Sequence, residues 1–215
     1  MKNHFRLGWN LLLVSLVLLA LQPFGLREAS AQATELLVGR SGSGTDCTQA
    51  NPGDAGQAMT NAATGDTIYF MTGTYSSTND PYLVSNKAVS LMGGWDGSPT
   101  GDVVVDPATY PTTLDGEGAR SLFTVDNTSG LGELITITGF TFQNGYDEVR
   151  GGAIYIQNGR VDVVGNIFLS NTAGSYAGAI YVRSNNDVHI LENSFIDNEV
   201  THGGGSIYVG NSSAT

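Results

Sequence analysis

Residues 135–156 read ITITGFTFQNGYDEVRGGAIYI, and this stretch decides the fold because its pattern returns twice. The second copy is VDVVGNIFLSNTAGSYAGAIYV at 161–182, and the third is VHILENSFIDNEVTHGGGSIYV at 188–209. A phenylalanine recurs after 26 and then 27 residues, and an isoleucine follows each phenylalanine after 12 residues. The six residues that mark this register are Phe142, Ile154, Phe168, Ile180, Phe195 and Ile207. Such a fixed period is the signature of a repeat architecture.

The repeats have the composition of strands rather than helices. β-branched residues alternate with polar ones, as at Ile135 and Ile137, and Gly-rich or Asn-rich turns separate the runs. A helical solenoid is excluded because no window keeps a 3.6-residue apolar period. A propeller blade would need units of roughly 40 residues. We therefore predict an all-β fold, a right-handed parallel β-helix (solenoid) with coils of about 27 residues.

In such a solenoid, equivalent residues stack at the ~4.8 Å spacing of neighbouring strands. The phenylalanines are predicted to form an internal aromatic column and the isoleucines an aliphatic one. Asn144, Asn171 and Asn198 are predicted to form a ladder of side-chain amides. Three tyrosines are predicted to point outwards, where they either cover the sheet or bind sugar rings or a partner: Tyr155, Tyr181 and Tyr208.

The N-terminus predicts export. Residues 1–31 resemble a signal peptide, with basic Lys2 and Arg6, an apolar run at 11–21 and small residues at 29–31. The apolar run is short against the ~20 residues of a spanning helix, so a membrane anchor is the less favoured alternative. We expect no membrane-spanning segment after cleavage and an extracellular or cell-surface location, associated with an outer membrane.

The rest of the chain is predicted to fold as one solenoid. Residues 32–65 are predicted to hold an entry loop and a short capping helix, which begins at Asp54 and ends near Gly65. Residues 66–215 are predicted to form the β-helix. Because the last repeat has no polar cap, we expect either a C-terminally incomplete fragment or end-to-end self-association.

Charge and cysteine content exclude several classes of function. Cleavage after residue 31 removes three of nine basic and one of 20 acidic residues, leaving a formal charge of about −13. Such a chain is not expected to bind nucleic acid, because phosphate contacts need clusters of Lys and Arg. Cys47 is the only cysteine, so no internal disulfide forms. No histidine motif supports it as a nucleophile.

The elements GGAIY (151–155), AGAIY (177–181) and GGSIY (204–208), each after a Phe and an Asn, resemble the polymorphic outer membrane protein repeat, whose signature pairs GGAI with FxxN. Phe168 to Asn171 and Phe195 to Asn198 match FxxN, whereas the first repeat is one residue short. GDTIYF with TGTY at 65–75 is similar to the first coil of pectin-lyase-like β-helix proteins. The resemblance covers about residues 54–213 and implies a secreted or surface protein, often an adhesin.

Two functions remain open. The first is a noncatalytic adhesive or structural protein that binds an extracellular glycan or a host or cell-surface protein. The second is a polysaccharide lyase or glycoside hydrolase, which would need paired carboxylates or a base beside calcium-binding acids. The candidate acids lie in turn-like strings, where Asp is common for local reasons: Asp96, Asp102, Asp106, Asp115 and Glu117.

The remaining polar candidates are weak. Asp187 and His189 lie two apart on one strand face, which suggests either a base with its orienting carboxylate or an ordinary solvated face. His202 lies in a Gly-rich corner without partner ligands for zinc. SGSGTD at 41–46 predicts a flexible entry loop. Calcium at stacked Asp or Asn corners stays an alternative, although no repeated GGxGxD motif supports it. We therefore predict no catalytic, cofactor or metal site, and the assignment leans away from an enzyme.

Overall fold

The computed structural model describes residues 33–76, 81–128, 133–183, 187–203 and 205–210. The predicted signal peptide and the end of the chain after residue 210 lie outside these ranges. Within them the chain forms one helix, 19 strands and four sheets in which every strand pair is parallel.

The sheets, here called A to D, grow as successive coils add strands side by side. Sheet A contains β1 (Glu35–Val38), β2 (Thr67–Met71), β5 (Ser90–Trp95), β8 (Leu134–Thr138), β12 (Arg160–Val164) and β16 (Asp187–Leu191). Sheet B contains β3 (Gly73–Ser76), β6 (Thr112–Asp115), β9 (Phe140–Gln143), β13 (Ile167–Leu169) and β17 (Ser194–Ile196). Sheet C contains β4 (Tyr82–Ser85), β7 (Phe123–Asp126), β11 (Ile154–Asn158), β15 (Ile180–Val182) and β19 (Ile207–Val209). Sheet D contains β10 (Tyr146–Asp147), β14 (Thr172–Ala173) and β18 (Glu199–Val200), and helix α1 spans Ala55–Asn61. The predicted fold class is confirmed as an all-β parallel β-solenoid of about five turns.

The internal columns confirm the predicted register. The rings of Phe142 and Phe168 stack with centroids 4.9 Å apart and planes 8° apart, and those of Phe168 and Phe195 stack at 4.9 Å and 7°. Ile180 pairs with Ile154 on one side and with Ile207 on the other. Phe142 and Phe168 are fully buried, whereas Phe195 in the last described coil is partly buried. Stacked identical side chains therefore form the solenoid core.

The asparagine ladder is real, but Asn144 is not part of it. The Asn171 amide nitrogen donates to Phe142 O at 2.9 Å and to Asn198 Oδ1 at 2.9 Å, and Asn171 Oδ1 accepts from Gly145 N at 2.8 Å. Gly145 therefore occupies the ladder position in the first repeat. Asn144 instead has φ 50°, in the left-handed region that asparagine tolerates. The first repeat departs from FxxN because Cβ at residue 145 would lie 2.2 Å from Gly152 O.

A second amide pair, which the sequence analysis missed, lies on the other side of the phenylalanines. Asn166 donates to Ile137 O at 2.9 Å and to Asn193 Oδ1 at 3.1 Å, and Asn193 donates to Val163 O at 2.7 Å. Both asparagines precede their phenylalanine by two residues, so the signal was present in the sequence. Buried backbone carbonyls at this turn thus receive side-chain hydrogen bonds.

Sheet A begins earlier than predicted. Residues 32–65 were predicted to hold only a loop and a helix, yet β1 pairs with β2 in parallel from Glu35 to Val38. Its apolar run of three residues is too short to display a clear alternation in the sequence. The solenoid therefore starts before residue 66.

The glycine-rich stretch at 41–46 is a packed loop rather than a flexible one. The Gly44 N–H donates to Pro52 O at 3.0 Å, and Leu37 N donates to Cys47 O at 2.8 Å. A Cβ at Gly42 would lie 2.2 Å from Gly53 O, so glycine permits the close approach of the two backbones.

The helix is present and begins where predicted, since Asp54 Oδ1 accepts from Gln57 N at 2.7 Å. It ends at Asn61 rather than near Gly65, because the backbone of Ala62 is extended, with ψ 138°. The Lys87 ammonium donates to Met59 O at 2.7 Å and to Ala62 O at 2.8 Å. A cation at these carbonyls satisfies the helix terminus. The helix contacts β1, β2 and β4. Its role as a cap of the apolar end stays a prediction.

Candidate functional site

Two of the candidate acids, Asp96 and Asp106, accept hydrogen bonds that stabilise their own turns. Asp96 accepts hydrogen bonds from the Ser98 hydroxyl at 2.5 Å and from its N–H at 3.0 Å, and these bonds lower the Asp96 pKa. The Thr109 hydroxyl donates to Asp106 at 2.6 Å and lowers the pKa of that carboxyl. A general acid needs a raised pKa near the working pH, so neither carboxyl is tuned for proton donation. The loop 96–111 that carries them is irregular.

Asp115 and Glu117 also serve the turn between sheets B and C. Burial acts to raise the Asp115 pKa, but hydrogen bonds from Gln143 at 2.7 Å, from Glu117 N at 2.8 Å and from Asn144 at 3.1 Å outweigh it and lower the pKa. Glu117 forms an ion pair with Arg120. The last candidate acid, Asp102, is exposed. These contacts explain the acids as turn residues.

His189 has a closer carboxylate than the one predicted. Its Nδ1 lies 2.9 Å from Asp162 on β12, whereas its Nε2 lies 3.7 Å from Asp187 on its own strand. Arg160 approaches Asp187 at 3.2 Å. The residues form a surface charge network across β12 and β16, and Asp187 and His189 are both exposed. The structure therefore favours the interpretation of an ordinary solvated strand face. Exposed ion pairs of this kind add little to the free energy of unfolding.

A zinc site at His202 and a nucleophile at Cys47 were disfavoured from the sequence. His202 is exposed, and its Nδ1 lies 3.2 Å from Gly174 O. Cys47 is buried; burial first, and then the Asp54 charge, raises its thiol pKa. A raised pKa disfavours the reactive thiolate. Across the described residues, no group of three or more His, Cys, Asp and Glu side chains converges as a metal site requires.

An open groove of about 750 Å³ lies between α1 and strands β3 and β4. Its lining includes Asp54, Tyr75 and Lys87, but each of these binds the protein itself. The Tyr75 hydroxyl lies 3.1 Å from Val38 O, and burial raises the pKa of Tyr75. Asp54, Tyr75 and Lys87 are therefore engaged within the protein.

The outer face of sheet C carries an aromatic surface, here called the tyrosine cluster: Tyr155, Tyr176, Tyr181 and Tyr208. The Tyr155 and Tyr181 rings stack at 5.4 Å and 11°, and the Tyr176 and Tyr181 rings stack at 4.9 Å and 10°. Tyr208 is tilted by 45° from Tyr176 and by 49° from Tyr181. Burial, followed by the neighbouring tyrosines, raises the Tyr181 pKa.

The tyrosines of the predicted outer column differ in exposure. Tyr155 is only 5% exposed, and the Arg150 guanidinium lies 4.5 Å from its ring centroid. Tyr176, which the sequence analysis did not select, is 37% exposed. Exposure therefore shifts toward the later coils.

The residues that cover the tyrosines share one position of the repeat. The pairing of Gly151 with Ala177 aligns Arg150 with Tyr176, and each lies five residues before the tyrosine that it contacts. The next coil places Gly203 at this corner, in the register set by Ala173 and Val200. Sequence comparison within the repeats could have found this position, because its residue type changes while the Ile-Tyr pair does not.

The family model described as a protein of unknown function (DUF1565) matches residues 43–214. The chain belongs to this family. The family is associated with β-helix folds, in agreement with the four parallel sheets. No curated protein sequence and no solved structure matches the chain.

In the part of the chain that the structure describes, no helix is long and apolar enough to cross a membrane.

Proposed function

We propose that this DUF1565 chain is a secreted or cell-surface β-solenoid with a noncatalytic adhesive or structural binding role. The observation that carries the proposal is the tyrosine cluster, a contiguous aromatic surface on a rigid sheet. Tyrosine offers apolar area together with a hydroxyl, and it loses little conformational entropy on binding. The partner in this proposal is an extracellular glycan or a host or cell-surface protein.

The chemistry of the acids supports a binding role over catalysis. Asp96, Asp106 and Asp115 each accept hydrogen bonds from their own turns, and all three have lowered pKa values. Glycoside hydrolysis needs two carboxylates across a substrate cleft, one of them with a raised pKa. No observation favours the lyase or hydrolase alternative, which therefore enters the test as an outcome.

The sequence supports the location. Residues 1–31 resemble a signal peptide, and the acidic mature chain suits an extracellular surface. The GGAI and FxxN elements extend the proposal to the polymorphic outer membrane protein repeat family and to association with an outer membrane. Fractionation of expressing cells tests this part: a cleaved chain outside the cytoplasm supports export, and an uncleaved cytoplasmic chain contradicts it.

Self-association is a second part of the proposal. The outermost described strand of sheet A, β16, carries partly exposed Val188 and Ile190, whose counterparts Val161 and Val163 are fully buried. An uncovered strand edge can pair with another chain. Concentration-dependent dimers in analytical ultracentrifugation support end-to-end association, and a monomer at all concentrations contradicts it.

The binding role is tested with the purified protein on an array that carries glycans and cell-surface proteins, with calcium and with a chelator. Retention without new reducing ends or unsaturated products is the expected result. Loss of retention in chelator would add calcium to the proposal. Turnover of any glycan would overturn the noncatalytic role and would make Asp115 and its neighbouring acids the next residues to substitute.

A further inference from the structure

The four tyrosine rings of the cluster differ in how much ring surface a ligand can reach. Tyr155 is closed off by Arg150 and Tyr181, and its exposed fraction of 5% leaves no ring face for a ligand. Tyr181 is in contact with three other rings. The available aromatic area therefore belongs to Tyr176, which is exposed, and to Tyr208, which is partly exposed.

The corner residue of each coil produces this difference. Arg150 covers Tyr155, and Tyr176 covers Tyr181, but Gly203 has no side chain to cover Tyr208. A Cβ at residue 203 would lie 2.1 Å from Ser175 O, so no other residue fits there without a backbone shift. Among the residues that the structure describes, no corner side chain therefore covers Tyr208 as Arg150 covers Tyr155 and Tyr176 covers Tyr181.

The Tyr176 and Tyr208 rings contact each other and form one bent aromatic surface. Their centroids lie 5.0 Å apart with planes at 45°, and Tyr181 contacts both rings. Mutual contact restricts the rotamers of all three side chains, so little entropy remains to be lost when a ligand binds. The faces of the two rings are apolar, and each ring carries a hydroxyl group at its outer end.

We propose that Tyr176 and Tyr208 form a binding site for one uncharged hexose ring of a glycan. This inference rests on the proposed binding function and narrows it to a ligand class and to one end of the cluster. The C–H face of a pyranose is apolar and packs on an aromatic face, while its equatorial hydroxyls reach the polar rim. The formal charge of about −13 after cleavage disfavours polyanionic glycans as ligands.

The chain offers a matched control for the test. Tyr146 on β10 is 38% exposed, almost the same as Tyr176 at 37%, but lies outside the cluster. Tyr176 and Tyr146 are therefore each replaced by alanine, and Tyr208→Ala and Arg150→Ala complete the set. Circular dichroism and thermal unfolding confirm that each variant folds. An alanine variant that does not fold is replaced by leucine at the same position, which keeps apolar bulk but removes the aromatic face, and weakened binding is expected for Tyr176→Leu and Tyr208→Leu.

Binding is measured by calorimetry with oligomers of glucose, mannose and galactose, and with matched uronic acid oligomers. We expect an uncharged oligomer to bind. Tyr176→Ala and Tyr208→Ala are expected to weaken binding at least about tenfold, which corresponds to about 1.4 kcal/mol. Tyr146→Ala and Arg150→Ala are expected to stay within about twofold of the original affinity, well below that tenfold step.

Three results would overturn the site: glycan binding that survives Tyr176→Ala in a folded protein, binding of uronic oligomers alone, or no glycan binding. A rise in affinity in Arg150→Ala would also overturn it, because uncovering Tyr155 would then extend a site along the whole column. None of these results removes the proposed binding function, which fails separately if the protein binds nothing on the combined array or turns a glycan over.

Discussion

The solenoid carries two aromatic columns, one inside and one outside, and they obey the same repeat with different results. The inner phenylalanines stack at 4.9 Å in both steps, with planes 8° and 7° apart. The outer tyrosines step at 5.4 Å and 5.7 Å, with planes 11° and then 49° apart. Close packing allows one arrangement inside, whereas the outer rings follow whichever corner residue each coil supplies. Between these two columns, the geometry varies only in the outer one, where a binding role is proposed.

The largest effect expected from this comparison is on the inner column. Phe168→Ala removes a fully buried ring that stacks on both neighbours, and we expect a loss of about 3–5 kcal/mol in the free energy of unfolding. Urea unfolding measures it. Ile167→Ala on the same strand is the control, since Ile167 is exposed, and a change within about 0.5 kcal/mol is expected. Equal losses in the two variants would contradict the inward register of Phe168.

A smaller effect is expected from the amide ladder. Asn171→Ala leaves Gly145 N and Phe142 O without their side-chain partner, and we expect a total loss of about 1–3 kcal/mol in the free energy of unfolding. Asn144→Gly is the control, because a left-handed φ favours glycine, and it should cost less than about 1 kcal/mol. A greater loss in Asn144→Gly than in Asn171→Ala would return the ladder to the register predicted from the sequence.

A third prediction concerns the buried glycine of the first repeat and an exposed glycine of the helix. Gly145→Ala places Cβ against Gly152 O, so we expect it to lower the free energy of unfolding by about 1–3 kcal/mol. Gly56→Ala in the exposed part of α1 should be neutral or stabilise by up to about 1 kcal/mol. Unchanged stability in Gly145→Ala, measured by thermal unfolding, would show that the two backbones lie further apart.

The smallest effect concerns pH. Asp115 has a lowered pKa in the folded state, so its contribution to stability is present above the ordinary carboxyl pKa and is lost as pH falls through the lowered value. We expect the stability difference between the original protein and Asp115→Asn to shrink between pH 7 and about pH 3. Urea midpoints at the two pH values measure it. A difference that grows toward acid pH would mean that burial, rather than hydrogen bonding, dominates at Asp115.

Features that depend on residues repeated at constant spacing were predicted correctly from the sequence. The Phe and Ile columns and the start of α1 at Asp54 follow from identical residues at constant intervals and from a standard capping residue. The register of Asn144 was wrong because the asparagine of the first repeat stands one residue before the ladder position, which Gly145 occupies. The close backbone contact at Gly145 depends on a neighbouring segment and not on repeat spacing. Strand β1 was missed because its apolar run is short.

The candidate site was less predictable than the core. Tyr155 and Tyr181 were recognised as an outer column, but their exposure depends on Arg150 and Tyr176, which belong to corners that differ from coil to coil. Cross-coil contacts also decide the roles of the acids: Asp115 meets Gln143 from the next coil, and His189 meets Asp162 from the previous one. Spacing along the chain alone does not reveal such contacts.

The inner column is expected to set the fold and the outer cluster to bind. Measuring unfolding and glycan binding together on Tyr176→Ala tests this division most directly. We expect the free energy of unfolding to stay within about 1 kcal/mol of the original, as for exposed substitutions, while binding is lost. Retained binding, or a loss of stability as large as that of Phe168→Ala, would contradict the division of roles between the two columns.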